Sequence, residues 1–315
     1  MGDFIMWNRR DFLKSFGLGG LLLGTGLVSK SAFASKNKMQ KICLLHTNDL
    51  HSRIEPFPKE DPQFGGLGGF ARIHAMVEKI RKQEEQVLLL DAGDVFQGTP
   101  YFNFFQGEAE FKLMSKMKYD AGNIGNHEFD NGVKGISSKL KYLNFPLLNA
   151  NYDFSGTDLE GKIPPYKIFQ KGDLKIGVFG VGVDLEGLVE PQNRETIVYL
   201  DPVDVADKMV HILKNEQACD LVVCLSHLGY KSNIGEMCDI DFAKKSSGVD
   251  VIIGGHSHTL METPDRLLNR DGEEVIINQV GWAGIALGRI DLYIDKKEKT
   301  KIASSKLLRV EASIA

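Results

Sequence analysis

The sequence predicts an α/β fold with a mainly parallel or mixed β-sheet and helices on its outside. In the first half of the chain, short apolar runs typical of buried strands alternate with longer segments of helical periodicity. The second half repeats this alternation, and polar residues cluster where the apolar runs end. Strands that alternate with helices favour parallel pairing through crossover helices. A single-sheet, doubly wound arrangement is one solution that this pattern allows.

The first half contains four strand-like runs separated by three helix-like segments. The strand-like runs are rich in Leu, Ile and Val, and the helix-like segments carry apolar residues three and four positions apart. In chain order the segments are QKICLLHTND, GGLGGFARIHAMVEKIRKQ, QVLLLDAGD, GEAEFKLMSKMK, YDAGNIGNHEFD, GVKGISSKLKYL and FPLLNANY.

The second half continues in the same order and then changes character. Three further strand-like runs and two helical segments are followed by a tail that predicts consecutive strands joined by short turns. The segments are LKIGVFGVG, PVDVADKMVHILKN, CDLVVCLSHLG, DIDFAKKSS, VDVIIGGHSHT and the tail EEVIINQVGWAGIALGRIDLYIDKKEKTKIASSKLLRV.

The bulk composition is that of a globular protein. Of the 315 residues, 43% are hydrophobic and 25% are charged, which is enough apolar material for a large core. The formal net charge is −4, whereas a nucleic-acid-binding protein would show a basic excess. Nucleic acid is therefore not an expected partner. No linker-like segment divides residues 38–312, so this range is predicted to form one domain.

Residues 1–34 are predicted to be an export signal of the twin-arginine type. Paired arginines at positions 9 and 10 precede a Gly-rich apolar stretch, and the alanines at positions 32 and 34 are small residues that suit a signal peptidase. The apolar stretch has about 13 residues, against the roughly 20 of a spanning helix. This favours a cleaved signal over the two alternatives, a membrane anchor and a disordered basic terminus. The mature protein is expected to be periplasmic or extracellular, without a transmembrane helix.

The four cysteines do not indicate a cysteine-rich zinc site, because none of them has the CxxC spacing. Cys43 and Cys224 lie inside apolar runs and are predicted to be buried, free thiols. His46 also lies within a strand-like run and is predicted to be buried with a hydrogen bond. Asp91 is expected to be structural at its strand-end turn.

Five segments place Asp, Asn and His at the ends of predicted strands. Carboxyl ends of parallel strands share one edge of a sheet, and ligands bind there. Carboxylates crowded on one edge repel each other, neutral imidazoles do not compensate this repulsion, and cations do. Imidazole nitrogens with carboxylate and amide oxygens suit zinc, manganese or iron. The segments are NDLH, DAGD, GNHEFD, SHLG and GGHSHT.

Taken in order, the motifs NDLH, GDVFQG, GNHEFD, SHLG and GGHSHT resemble the calcineurin-like metallophosphoesterase superfamily. The fuller LLHTNDLHS, GNHEFD and GGHSHT are similar to its exported 5′-nucleotidase and UDP-sugar hydrolase branch, and the resemblance covers about residues 41–295. It implies a four-layer α/β/β/α sandwich, in which two facing sheets carry helices on their outer flanks.

The resemblance also implies a dinuclear metal site with seven ligands. One metal would be bound by Asp49, His51 and His258, and Asp94 would bridge to the second. Asp49 and His51 are two residues apart, as are His256 and His258, and in an extended segment such residues point the same way. In a loop this rule loosens, so neighbours can reach different ions. The ligands expected for the second metal are Asn126, His227 and His256.

The motif GNHEFD also contains the expected catalytic pair. In the family pattern His127 faces the substrate, and Asp130 would hydrogen-bond its imidazole. Glu128 is expected to be a structural hydrogen-bonding residue.

The implied activity is metal-dependent hydrolysis of phosphate monoesters, with 5′-nucleotides or related nucleotide compounds as substrates. A hydroxide shared by two ions would attack phosphorus in line, and His127 would stabilise negative charge or protonate the leaving group. A phosphodiesterase or sulfur-ester hydrolase is an alternative. A metal-binding module without catalysis is another.

Two-domain relatives in this branch carry a second domain that recognises the nucleotide. The chain ends at Ala315, and that domain is expected to be absent. Two explanations stay open. The chain is a stand-alone phosphoesterase of loose specificity, or it is a catalytic subunit that needs a separate recognition chain.

Overall fold

The computed structural model describes residues 39–296 and 300–312, so the predicted export signal lies outside the described residues. The strands within this part, with their bounds, are β1 (Gln40–Thr47), β2 (Val87–Asp91), β3 (Ala121–Asn123), β4 (Leu147–Leu148), β5 (Tyr152–Asp153), β6 (Tyr166–Lys171), β7 (Leu174–Gly182), β8 (Val198–Tyr199), β9 (Leu221–His227), β10 (Val251–Ile253), β11 (Asp265–Leu268), β12 (Glu274–Asn278), β13 (Ala286–Asp295) and β14 (Thr300–Arg309).

The helices lie mostly where the sequence pattern predicts them. They are α1 (Phe70–Arg81), α2 (Pro100–Phe105), α3 (Glu108–Met117), α4 (Gly132–Lys139), α5 (Pro191–Arg194), α6 (Pro202–Val210) and α7 (Asp239–Lys245). The 3₁₀ turns are His127–Asn131 and Leu140–Tyr142, and a π-helical turn, His211–Glu216, extends α6.

The strands form two six-stranded mixed sheets and one short pair. The first sheet has the order β14-β13-β1-β2-β3-β4 and the second has the order β11-β12-β10-β9-β7-β6, while β5 pairs with β8. Strands β1 to β4 are parallel, and so are β7, β9, β10 and β12. Strands added at the margins are antiparallel. The prediction of a mixed sheet is confirmed, and the predicted tail divides between the two sheets.

The two sheets pack face to face, which confirms the four-layer sandwich and excludes the single doubly wound sheet. Side chains of β1 show how this works, because successive residues of a strand point to opposite faces. Ile42 and Leu44 join a buried cluster that also contains Val178 from the second sheet. Cys43 and Leu45 point the other way, into a cluster with helix residues. Strands buried on both faces read as continuous apolar runs.

Helices cover the outer face of each sheet. The apolar side chains of α1 at spacings of three and four, including Phe70, Ile73 and Val77, pack on the first sheet together with those of α3 and α4. The apolar sides of α6 and α7 pack on the second sheet. The start of α6 follows from its sequence, because the Asp201 carboxylate accepts from two backbone N–H groups and Pro202 occupies the first turn. From Met39 onward the chain forms one unit.

Candidate metal centre

The polar segments predicted from the sequence follow β1, β2, β3, β9 and β10. The first three strands belong to one sheet and the last two to the other. Their carboxyl ends meet at one edge of the sandwich, so the centre is assembled from both sheets.

Asp49, His51 and His258 form the first group of potential ligands. One donor atom from each residue lies within 4.8 Å of the others. Nε2 of His51 is 2.9 Å from Nε2 of His258, which is 3.5 Å from Oδ1 of Asp49. These are the residues that the family resemblance assigned to one metal.

Asp94, His227 and His256 form the second group, and their donor atoms also lie within 4.8 Å of one another. Nε2 of His227 is 3.0 Å from Oδ2 of Asp94. Asn126 adjoins this group, since its Oδ1 is 2.9 Å from Nδ1 of His256. All seven predicted ligands are therefore brought together.

Asp94 lies between the two groups. The same oxygen that is 3.0 Å from Nε2 of His227 is 4.0 Å from Nε2 of His51. A second link joins the groups through the backbone, because the N–H of His256 donates to Oδ1 of Asp49 at 2.9 Å.

Left-handed backbone conformations direct these side chains. The φ angles are 49° at Asp49, 46° at His51, 57° at Asp94, 71° at His256 and 52° at His258. Such angles cost energy for residues other than glycine, and they accumulate at functional sites. In these conformations, residues two apart need not point the same way as they would in an extended segment. His256 and His258 accordingly belong to different groups.

Glu128 fixes the loops after β2 and β3 to each other. Its carboxylate accepts from the backbone N–H groups of Asp94 at 3.0 Å, Val95 at 2.8 Å and Gly125 at 2.6 Å. The predicted structural role is confirmed. Close contact of the two loops also requires Gly93, whose φ is 97° and where a Cβ would come within 2.6 Å of the Gly125 nitrogen.

Side-chain amides tie the two sheets together beneath the centre. Nδ2 of Asn123, at the end of β3, donates to the carbonyls of Val181 at 2.7 Å and Leu225 at 2.9 Å in the facing sheet. Nδ2 of Asn278 donates to Nε2 of His46 at 3.0 Å. Buried polar groups paired in this way favour one relative position of the sheets.

The carboxylates of the centre are buried, and every ion-pair partner described for Asp49 and Asp94 is a histidine. Burial raises the pKa of Asp49 to about 8. Burial would also raise the pKa of Asp94, but the adjacent His227 holds it below its ordinary value. For His227, the negative charge of Asp94 outweighs burial and raises the pKa to about 10.

The donor geometry suits cations. Nε2 of His227 is buried and has no hydrogen-bond partner among the residues that the structure describes, although it lies 3.0 Å from Oδ2 of Asp94. Two atoms so close and yet not aligned for a hydrogen bond are placed like ligands that converge on a third atom. Burial also lowers the pKa of His256 and of His258 to about 4, so both imidazoles are neutral, as metal ligation requires.

His127 and Asp130 are paired as the sequence predicted. Nδ1 of His127 lies 3.0 Å from Oδ2 of Asp130, and both side chains are 33% exposed. This hydrogen bond raises the pKa of His127 to about 8. The backbone N–H of His127 donates to Oδ1 of Asp94 at 2.8 Å, and its ring centroid is 5.2 Å from that of His51. The pair therefore lies beside the potential ligands.

The residues that the sequence assigned to structural roles have them. Asp91 accepts from the Thr47 hydroxyl at 2.6 Å and from the N–H of Gly93 at 2.9 Å. His46 is buried and hydrogen-bonded. Cys43 and Cys224 are buried and free, as predicted.

Two residues of the centre were missed. Nδ2 of Asn48 donates to Oδ2 of Asp49 at 2.6 Å, and the Trp282 ring stacks on the ring of His258 with an interplanar angle of 3°. A signal for Asn48 existed in its position before Asp49. A single tryptophan in the segment NQVGWAG gives no comparable signal.

Comparisons with known proteins agree with this geometry. The family described as calcineurin-like phosphoesterase matches residues 44–260. A snake venom 5′-nucleotidase from Crotalus adamanteus is 33% identical over 285 residues, which cover 82% of this chain and 46% of that protein. The chain spans about half the length of the curated relatives it matches.

Solved structures show the same fold. The 5′-nucleotidase precursor from Thermus thermophilus has a TM-score of 0.77 and 32% identity, covering 86% of this chain and 55% of that one. The NAD nucleotidase of Haemophilus influenzae has a TM-score of 0.76 and 28% identity, covering 86% of this chain and 51% of that one.

Proposed function

Because the chain belongs to the calcineurin-like phosphoesterase family, we propose that it hydrolyses phosphate monoesters with two divalent metal ions, and that 5′-nucleotides or related nucleotide compounds are its substrates. The observation that carries the proposal is the position of Asp94. One of its oxygens faces a histidine of each ligand group, at 3.0 Å and 4.0 Å. A single carboxylate that faces histidines of both groups is the arrangement that a dinuclear centre needs.

The seven ligands divide into two sets around Asp94. Asp49, His51 and His258 would hold one ion, and the other would be held by Asn126, His227 and His256. The bound ions would lower the pKa of water and withdraw charge from the phosphoryl oxygens. Zinc, manganese and iron all suit this mixture of imidazole and oxygen ligands.

His127 has the position and the charge to act on the substrate. Its Nδ1 is engaged by Asp130 at 3.0 Å, which leaves Nε2 to face a ligand. With a pKa raised to about 8, the ring is largely protonated at neutral pH. It can donate to a phosphoryl oxygen or give a proton to the leaving oxygen. Asp130 keeps the ring oriented.

The test is hydrolysis of AMP, p-nitrophenyl phosphate and bis(p-nitrophenyl) phosphate by the purified protein with Mn²⁺ or Zn²⁺ added. Release of phosphate from AMP and from the monoester supports the proposal. A preference for the bis ester, or for sulfur esters in the same panel, would assign the centre to those substrates. Metal uptake without hydrolysis of any ester would indicate a non-catalytic metal-binding module.

A second candidate is a catalytic subunit that works with a separate recognition chain. It is favoured by the openness of the centre, since His127 and Asp130 are 33% exposed and His258 is 40% exposed. Closed sites exclude water and strengthen electrostatic contacts. A partner that offers arginines to the phosphate and aromatic rings to the base would close this side. AMP hydrolysis that rises and becomes base-selective when the product of a neighbouring gene is added would support this candidate. Efficient, base-selective hydrolysis by the chain alone would count against it.

We also propose that the protein is exported through a twin-arginine signal in residues 1–34 and acts in the periplasm or outside the cell. Within the described part of the chain, no helix has both the length and the hydropathy needed to cross a membrane. Replacing Arg9 and Arg10 with lysine should trap the protein in the cytoplasm, which fractionation would show.

A further inference from the structure

Of the three potential ligands in the first group, His258 has the side chain that the surrounding protein restrains least. Its side chain is 40% exposed, whereas Asp49 is fully buried and His51 is 6% exposed. An exposed side chain keeps rotamer freedom in the unliganded protein, and this freedom is lost when the residue binds. A weakly held ligand therefore lowers metal affinity unless something else fixes its ring.

Other histidines of the centre are oriented through their second ring nitrogen. Nδ1 of His51 lies 3.3 Å from the carbonyl of Phe96, and Nδ1 of His227 lies 2.8 Å from the carbonyl of Ala92. Such bonds fix the ring of a metal-binding histidine. Within residues 39–296 and 300–312, the hydrogen bonding of His258 is confined to Nε2.

Trp282 packs on the face of the His258 ring. Its ring lies parallel to that of His258, with centroids 5.5 Å apart and an interplanar angle of 3°. At that separation the rings are offset-stacked, a favourable geometry for aromatic pairs. The same indole meets His51 edge-on at 6.1 Å. Both histidines of the first ligand group thus contact one tryptophan.

Aromatic contacts and a neighbouring backbone hydrogen bond fix the position of Trp282. Phe57 and Phe64 meet its ring edge-on at 5.9 Å and 6.0 Å, and these three rings belong to one small hydrophobic cluster. The following backbone N–H, that of Ala283, donates to the carbonyl of Asp49 at 2.7 Å. Trp282 therefore has a fixed position relative to Asp49, the third ligand of the group.

We propose that Trp282 is a positioning residue for the metal held by Asp49, His51 and His258, and that it acts by stacking on His258. This proposal rests on the proposed function only in requiring that the group binds a metal. A metal draws electron density from a bound imidazole, and the electron-rich face of an indole attracts such a ring. Stacking should therefore favour the metal-bound state of His258. The second ligand group has hydrogen bonds instead and should not depend on Trp282.

The proposal is tested by measuring Mn²⁺ binding to the wild type, Trp282→Leu and Trp282→Phe. The EPR signal of free Mn²⁺ measures this binding without any substrate. We expect Trp282→Leu to bind one Mn²⁺ as the wild type does and a second one about 10-fold or more weakly. Trp282→Phe keeps a flat ring and should restore most of this affinity. The control is Phe145→Leu. Phe145 precedes β4, away from the metal centre, and its buried ring packs on that of Tyr119. This replacement should leave both affinities unchanged.

A fluorescence measurement keeps the proposal testable if Trp282→Leu folds poorly. Trp7 and Trp282 are the two tryptophans of the chain, so in a Trp7→Phe variant all tryptophan emission comes from Trp282. Paramagnetic Mn²⁺ should quench it, and His258→Ala should weaken the Mn²⁺ step that quenches. Unchanged emission on saturation with Mn²⁺, or wild-type affinity for both ions in Trp282→Leu, would overturn the proposal. Failure of the wild type to hydrolyse any ester would overturn the proposed function and leave these binding results standing.

Discussion

Two clusters of charged residues involve strands of the first sheet, and they are built in opposite ways. On the outer face of β1 and β13, Lys41 is 2.7 Å from Glu84, and Arg289 is 2.9 Å from Asp291. Two cations there balance two carboxylates. At the carboxyl end of the strands, Asp49 and Asp94 have only histidines as described ion-pair partners.

The difference shows which cluster needs an external cation. The ion-pair cluster is complete, because each carboxylate has a partner that stays charged at all relevant pH values. An imidazole has an ordinary pKa near 6.5, so it balances a buried carboxylate only by holding a proton, as His227 does with its pKa raised to about 10. A divalent ion supplies that charge and suits the same nitrogen and oxygen donors. Metal dependence is therefore expected for one cluster and not for the other.

The largest effect is expected from replacing the carboxylate between the two ligand groups. Asp94→Ala should lose bound metal and reduce phosphomonoester turnover by about 10³-fold or more, because both ions would share this ligand. Metal analysis and steady-state kinetics on the same preparation would show this. Full metal content with normal turnover would contradict the assignment.

His127→Ala should separate chemistry from metal binding. The proposed role of His127 is to act on the substrate, so turnover should fall by roughly 10²–10⁴-fold while metal content stays at the wild-type level. His211, an exposed histidine on the second sheet's helical layer, provides the control, and His211→Ala should be active. Loss of metal together with activity in His127→Ala would place this residue among the ligands.

Removing bound metal should lower the stability of the fold by its effect on the metal centre, without affecting the ion-pair cluster. A ligand at 100 times its dissociation constant stabilises the native state by about 2.7 kcal/mol, so a chelator should lower the melting temperature measurably. Arg289→Met, in the other cluster, should lower it by a similar increment with and without metal, because distant sites act additively. A melting temperature that does not respond to chelation would remove the distinction between the clusters.

The smallest effect is the pH dependence of the ion-pair cluster. Burial would raise the pKa of Glu84 and of Asp291, but Lys41 and Arg289 outweigh it and lower both from their ordinary values of 4.5 and 3.8. A carboxyl with a lowered pKa stabilises the fold above its ordinary pKa, and this contribution is lost as the pH falls through the lowered value.

Arg289→Met should therefore cost roughly 1–3 kcal/mol at neutral pH and lose less additional stability than the wild type between about pH 5 and pH 2. Urea unfolding at several pH values would measure both. Identical pH profiles for the two proteins would show that the arginine does not hold these carboxyls.

The strand ends were predictable because two signals coincide in them. Apolar runs that stop at Asp, Asn or His mark both the strand and its polar end, so the cluster of seven potential ligands and the His127–Asp130 pair followed from sequence and resemblance. The division of the tail was not predictable, because apolar alternation does not say which sheet a strand joins. Strand β12 pairs in the second sheet, and β13 and β14 pair in the first.

Other features depend on contacts between segments distant in the sequence. The resemblance assigned His256 and His258 to different metals, but the residue types in GGHSHT do not reveal the left-handed φ angles of 71° and 52° at these positions. From the sequence alone, Trp282 would be interpreted as an ordinary packing residue, because its contact with His258 is visible only in the structure. Helix α2 was missed because PYFNFF lacks polar residues in a helical pattern.

The most direct measurement is anomalous diffraction at the manganese edge from crystals grown with excess Mn²⁺. The account predicts two peaks, one enclosed by Asp49, His51 and His258 and the other by Asn126, His227 and His256, with Asp94 between them. A single peak, or peaks away from these side chains, would contradict it.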